Sequence, residues 1–195
     1  FEFDKSCNPK SVAGCPPDAF CATGQLWGNP LYNWKVHKEE GFSWWISRIS
    51  HCYELYDVVR VDHFRGFDEY YAIPGKDETA EHGKWKKGPG IELFKAIKKA
   101  LGEKDIIAED LGYLTPSVIK LLKDSSFPGM KVLQFAFDPH TPSIYLPHKH
   151  IENCVVYTGT HDNDTTRGWY RNLNHEEKKF IGEYLGCGEV KEEIS

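Results

Sequence analysis

No apolar run in the 195 residues approaches the roughly 18 that a membrane-crossing helix needs. The start at Phe1 lacks the charged-then-apolar pattern of a secretory leader, so a soluble cytoplasmic chain with no membrane partner is expected. A basic excess is missing too. The net charge of -5 and pI near 6.0 argue against nucleic acid, which needs a concentrated positive surface. The one cluster of positive charge, Lys84, Lys86 and Lys87, reads as a solvated loop. The six cysteines form no CxxC pair in a chain this rich in core residues, which points to reduced thiols in a cytosolic compartment. There is no internal repeat and no low-complexity segment. No glycine-rich phosphate loop follows an expected strand, and the GPG at 88–90 reads as a turn with no strand before it. An initiator methionine is also absent, and FEFDKSCNPK enters loop-like sequence at once. The chain is expected to be a piece of something longer.

What is present alternates. Residues 9–34 are dense in Gly, Pro, Asn and aromatics without periodicity, which predicts a long irregular loop with a function. Trp45, Ile49, Cys52 and Tyr56 have helical spacing within 34–56. VVRV at 58–61 reads as a buried strand, and 68–90 as a second loop-rich insertion. Ile91, Phe94, Ile97 and Leu101 line one side of a helix that Gly102 terminates. DIIA at 105–108 predicts a strand, and Thr115 with Pro116 the start of a helix burying Val118, Leu121 and Leu122. KVLQFAF at 131–137 and CVVY at 154–157 predict two further strands. Asn174 and Glu177 form a capping pair for a helix that buries Phe180, Ile181, Tyr184 and Leu185 and stops at Gly186. Short apolar strands alternating with helices indicate an α/β fold with a parallel sheet, and a (β/α)₈ barrel is favoured over an open doubly wound sheet.

Three of the four strands run into acids: Asp62, then Glu109 and Asp110, then Asp162 and Asp164. In a barrel the C-terminal strand ends open onto one face, so such residues converge. Arg60 and Asp62 share a side of their strand, and the guanidinium favours the ionised carboxyl, which suits a nucleophile. Glu109 follows Ile106, Ile107 and Ala108. Apolar surroundings and a nearby anion both raise its pKa, which suits a general acid. Two carboxyls with opposed pKa values, roughly 5–5.5 Å apart, are what retaining glycoside chemistry needs. Asp162 would stabilise the transition state from a third strand.

RVDHFRGF, IAEDLG and GTHDND, in this order, resemble the conserved segments of the 4-α-glucanotransferases (amylomaltase, disproportionating enzyme), relatives of the α-amylases. VAGCPPDAFCATGQLWGNPLYNW is similar to a loop characteristic of that family. The resemblance implies a (β/α)₈ barrel, here a partial one of about strands 4 to 7 across residues 1–195. It implies Asp62 as nucleophile, Glu109 as acid/base and Asp162 as transition-state stabiliser. Arg60 and His161 would contact Asp62 or the sugar, and Phe20 and Trp27 would line the glucan path. Apart from the resemblance, Gly24, Gln25 and Asn29 are read as shaping the acceptor side or serving the turns of the loop. Maltooligosaccharides and other α-1,4-glucans are the implied substrates, in the cytoplasm or, in a plant, the plastid; no cofactor or metal is called for. Ala19 departs from the family, which commonly has a tyrosine there. Half a barrel leaves sheet edges uncovered, so the piece alone is expected to be unstable and inactive.

Other readings remain: an α-glucan hydrolase of the α-amylase type, a non-catalytic glucan-binding fragment, and a metal-dependent hydrolase built on His148, His150, His161 and Asp162. The HxH lies before its strand, in LPHKHIEN, and reads as a pair of surface histidines. Chelation with EDTA is therefore expected to leave activity unchanged in the intact enzyme; a loss restored by added metal would revive the metal reading.

Overall fold

The computed structural model describes residues 1–18 and 21–188. In chain order its elements are β1 (Ser11–Cys15), β2 (Gln25–Pro30), α1 (Trp34–Glu39), α2 (Ser43–Leu55), β3 (Val59–Val61), β4 (Glu69–Pro74), β5 (Lys84–Lys87), α3 (Ile91–Leu101), β6 (Ile106–Ala108), α4 (Pro116–Ser125), β7 (Gly129–Val132), β8 (Cys154–Tyr157), α5 (Thr166–Asn172) and α6 (His175–Leu185). They divide into two compact units, Phe1–Phe127 and Pro128–Ser195. No helix among the described residues is long and apolar enough to cross a membrane.

In the first unit, β3 and β6 pair in parallel with Val59 opposite Ile106 and Val61 opposite Ala108. Two helices follow from their apolar stripes. α3 buries Leu93, Phe94 and Ile97, and its C-cap Gly102 takes the left-handed φ of 76° that a side chain would resist. α4 starts as the Thr115–Pro116 pair predicts: the Thr115 hydroxyl accepts from the Val118 N–H, and proline sits where no donor is needed. Burial of such side chains contributes roughly 1.5–3 kcal/mol each. Their shared core is aromatic: Phe64 stacks on Phe94 at 5.4 Å, and Phe67 and Phe127 meet the same ring edge-on at 5.1 and 5.2 Å.

Residues 34–56 form two helices and not one, because Gly41 and Phe42 both take positive φ, 62° and 59°. α2 turns Trp45 and Ile49 inward as expected, but Tyr56 lies beyond its end and is exposed.

The larger correction concerns the segments read as loops. Residues 9–34 contain β1 and β2, and 68–90 contain β4 and β5; together they make one antiparallel sheet in the order β2-β1-β4-β5. Val12 faces Ile73 and Gly14 faces Tyr71 across a separation of about sixty residues. Local patterning could not reveal this pairing, since each strand is completed by a remote one. Its buried cluster is small: Val12, Tyr71, Ile73 and Ala80. Lys84, Lys86 and Lys87 are on strand β5 and so a strand does precede the GPG; they remain exposed, with Lys86 3.3 Å from Glu2 and Lys87 2.7 Å from Glu69.

In the second unit, β7 and β8 are again parallel, Gly129 opposite Cys154 and Val132 opposite Tyr157. KVLQFAF does not continue as a strand: residues 133–135 turn into a 3₁₀ helix, and the buried Gln134 side chain donates to the Asp164 carbonyl at 2.9 Å. A polar side chain with an internal acceptor halts the strand where an apolar one would prolong it. Asn174 and Glu177 form a complete capping box for α6, which buries Ile181 and leaves Phe180 and Tyr184 partly covered. Leu185, expected inside, is 57% exposed, because it falls in the final turn before Gly186.

Gly14 tests the sheet. A Cβ there would fall on the Gln25 carbonyl oxygen and the Ile73 side chain, which lie on two different neighbouring strands. Gly14→Ala in the intact polypeptide is expected to lower stability by about 1–3 kcal/mol through overpacking, read as a lower urea midpoint; an unchanged midpoint would contradict this packing.

Candidate active site

Because Val61 and Ala108 are register partners, Asp62 and Glu109 are the next residues out on adjacent parallel strands. Neighbouring strands lie about 4.8 Å apart, so the two residues stand side by side at the end of the sheet. The pairing also runs past the strands, with the Glu109 N–H donating to the Val61 carbonyl at 2.9 Å and the Phe64 N–H to the Glu109 carbonyl at 3.0 Å.

The two acids have different surroundings. Asp62 is open to solvent, and its Oδ1 accepts from Arg60 Nη2 at 2.8 Å. Such an exposed pair adds little stability. Glu109 is enclosed. Its Oε2 accepts from the His63 N–H and its Oε1 from the Leu111 N–H, both at 2.8 Å. Burial is the largest influence and pushes its pKa up; the two N–H groups and Arg60 pull it down, and Asp62 adds an upward push. The net direction is up. His63 is shifted down, mainly by burial, which keeps its ring neutral near neutral pH.

Trp27 and Gln25 reach this place from β2. The Gln25 amide oxygen accepts from Trp27 Nε1 at 3.0 Å, so the glutamine steadies the indole. Trp27 in turn meets the His63 ring edge-on, with centroids 4.9 Å apart. A cleft of about 440 Å³ has Trp27, Tyr32, Arg60, Asp62, His63 and Tyr70 in its wall. Glu109 is not in that wall; it is reached through His63. Phe20 and its neighbour Ala19 lie outside the described residues.

In the second unit, the turn after β8 pairs His161 Nε2 with Asp162 Oδ1 at 3.4 Å, both side chains exposed. The other residues of GTHDND are occupied locally. Asn163 Oδ1 accepts from both the N–H and the hydroxyl of Thr160 at 2.9 Å, and Asp164 Oδ1 from the Thr165 N–H at 2.7 Å. Asp162 thus has no such structural duty, and Asp164 does. His148 meets the Tyr184 hydroxyl at 2.9 Å and His150 Nε2 the Tyr145 carbonyl at 2.8 Å; no metal-holding group of three or more His, Cys, Asp or Glu occurs among the described residues.

The first unit therefore brings Arg60, Asp62, Glu109, Trp27 and Gln25 together, and the second brings His161 to Asp162. His63 is a residue that the sequence did not single out. Its left-handed backbone, φ 46° and ψ 54°, is only weakly signalled by its identity, histidine taking that region more often than most residues, and the neighbouring Gly66 leaves the space that its ring occupies.

The family described as 4-alpha-glucanotransferase matches residues 1–195. A 4-alpha-glucanotransferase of Streptococcus pneumoniae is 51% identical over 192 residues, 98% of this chain and 38% of the relative. The chain belongs to the 4-alpha-glucanotransferase family. The chloroplastic/amyloplastic 4-alpha-glucanotransferase of Solanum tuberosum is 54% identical over 187 residues, 96% of this chain and 32% of that protein. Among solved structures, an amylomaltase from Streptococcus agalactiae in complex with acarbose superposes with a TM-score of 0.91 at 46% identity, over 95% of this chain and 38% of that one. The chain thus spans about a third of the length of these relatives.

The contrast between the carboxyls can be measured. Glu109 should titrate above the ordinary glutamate range in carbon-detected NMR, because burial disfavours its anion. Asp62→Asn removes a neighbouring negative charge and should lower that midpoint, whereas Arg60→Gln removes a positive one and should raise it. Midpoints that do not move, or that move in the opposite sense, would contradict the arrangement.

Proposed function

We propose that the protein to which this chain belongs is a retaining 4-α-glucanotransferase, moving segments of α-1,4-glucan to the 4-hydroxyl of an acceptor glucan or glucose. In this reading the two parallel pairs β3–β6 and β7–β8 are about the fourth to seventh strands of a (β/α)₈ barrel, a fold that opens its C-terminal strand ends onto one face. The supporting observation is the pair of adjacent acids in opposed surroundings: Asp62 open and held by a guanidinium, Glu109 enclosed with a raised pKa.

Asp62 attacks the anomeric carbon of the donor while Glu109 gives its proton to the departing glycosidic oxygen. The products are a β-glucosyl ester on Asp62 and a free reducing-end fragment. Glu109, now ionised, takes the proton from the acceptor 4-hydroxyl as that oxygen displaces Asp62, and the α configuration is restored. Asp162, steadied by His161, stabilises the oxocarbenium-like charge in both steps. Arg60 keeps Asp62 aimed; the flat apolar face of Trp27, held by Gln25, offers a sugar a stacking surface. Phe20 is assigned to the same glucan path from the resemblance alone. Transfer in place of hydrolysis needs an acceptor sugar that is bound and oriented before water arrives.

Maltotriose decides between the two outcomes. The intact enzyme should produce a ladder of products both shorter and longer than the substrate, separated by anion-exchange chromatography. Only shorter products would identify a hydrolase. Glu109→Gln should reduce transfer by about 10²–10⁴-fold, the usual contribution of a positioned acid/base; a variant of undiminished activity would remove Glu109 from the mechanism.

A further inference from the structure

His63 stands between an exposed aromatic and an enclosed acid. Its backbone is in the left-handed region, which non-glycine residues occupy seldom, although histidine does so more often than most. Backbone strain of this kind persists only where the surroundings over-determine it. Three contacts do so here. The Trp27 indole meets the imidazole at 86° between planes, Gly66 has no Cβ where one would stand 3.2 Å from the ring, and the Gly66 N–H closes onto the His63 carbonyl at 2.9 Å. What the left-handed conformation achieves is the alignment of two successive N–H groups on Glu109, that of His63 on its Oε2 and that of Phe64 on its carbonyl. In an extended residue two successive N–H groups point to opposite sides of the chain.

We propose that Trp27 and His63 form a positioning device for the acid/base: the edge-on ring contact locks the His63 backbone so that its N–H orients the Glu109 carboxyl. The imidazole acts by its shape and not by its proton. This rests on the reading of Glu109 as the acid/base. Each carboxyl oxygen accepts one N–H, from His63 or Leu111, and keeps a second lone pair, so the proton to be transferred stays available while the plane of the group is set. Trp27 lies on β2, the edge strand of its sheet, and is 42% exposed. Whatever engages the indole from the cleft therefore acts, through His63, on Glu109. Loss of Trp27 contact would let the strained residue relax and release one of the two N–H bonds.

The test compares backbone compatibility with side-chain chemistry in the intact enzyme. Asparagine and glycine tolerate the left-handed region; valine, branched at Cβ, does not. His63→Val should lose about tenfold or more in kcat relative to both His63→Asn and His63→Gly, since small misplacements of a catalytic group carry costs of that order. The alkaline limb of its kcat/KM profile with maltotriose should also move to higher pH. An acid must be protonated to act, and removing an N–H that favours its anion raises the pH at which it ionises. Arg60 on β3 and Asp62 just beyond it, the charged groups that bear on Glu109, are unchanged in all these variants, as is the neighbouring Asp110. Trp27→Ala, at an exposed position that threatens folding less, should shift the limb in the same direction, and Trp27→Phe should restore it.

The proposal is overturned if asparagine, glycine and valine variants lose activity equally, or if the limb stays fixed in both His63→Val and Trp27→Ala. An α-glucosyl fluoride donor separates this from failure of the underlying reading. Fluoride departs without a proton, so its burst release should be spared in His63→Val and also in Glu109→Gln. A Glu109→Gln variant whose fluoride burst is lost while its transfer from maltotriose is kept would refute the acid/base role itself.

Discussion

Glu109 is gripped by one short stretch of chain through three bonds at once. Val61 accepts from its N–H, Phe64 donates to its carbonyl, and His63 donates to its carboxylate. The first two continue the parallel ladder of β3 and β6 beyond its last register pair, and the third adds the side chain to that ladder. Because main chain and side chain are tied to the same segment, the acid cannot rotate or shift independently of Asp62, which lies inside that segment. The relation of the two carboxylates is therefore a property of the sheet and not of flexible loops.

That grip depends in turn on Phe64. Its side chain is fully buried and stacks on Phe94 of α3, while Phe67 and Phe127 close around the same ring. The 3₁₀ turn Phe64–Phe67 is thus anchored by apolar burial at both its ends, which fixes the chain that follows His63, its N-cap. Packing supplies the restraint that the strained backbone requires, which links the hydrophobic core of the first unit to the orientation of one N–H at the site.

Much of the molecule was legible locally. The strands VVRV, DIIA and CVVY, the Thr115–Pro116 start, the Asn174–Glu177 box and the Gly102 and Gly186 stops depend on interactions within a few residues of each other, so sequence order displays them. The acids were legible for the same reason, since each follows its strand directly. The antiparallel sheet was not. β1, β2, β4 and β5 are rich in Gly, Pro, Lys and aromatics, have almost no core of their own, and become strands only when paired with partners as far off as Ile73 is from Val12. KVLQFAF misled in the other direction, because its apolar pattern gives no sign that Gln134 will find the Asp164 carbonyl.

By itself the amino-acid order determined which chemical groups are available and on which strand ends they occur: Asp62 two residues after Arg60, Glu109 after an apolar triplet, Asp162 after His161. Such facts follow from spacing and the period of a strand. Tertiary structure alone decided that Glu109 is clasped by two N–H groups, that Trp27 from a remote edge strand meets His63, and that His63 adopts a left-handed backbone. The His63 bond to Glu109 and the Trp27 contact with His63 join residues tens of positions apart, where free energy comes from burial and pairing that no local pattern records.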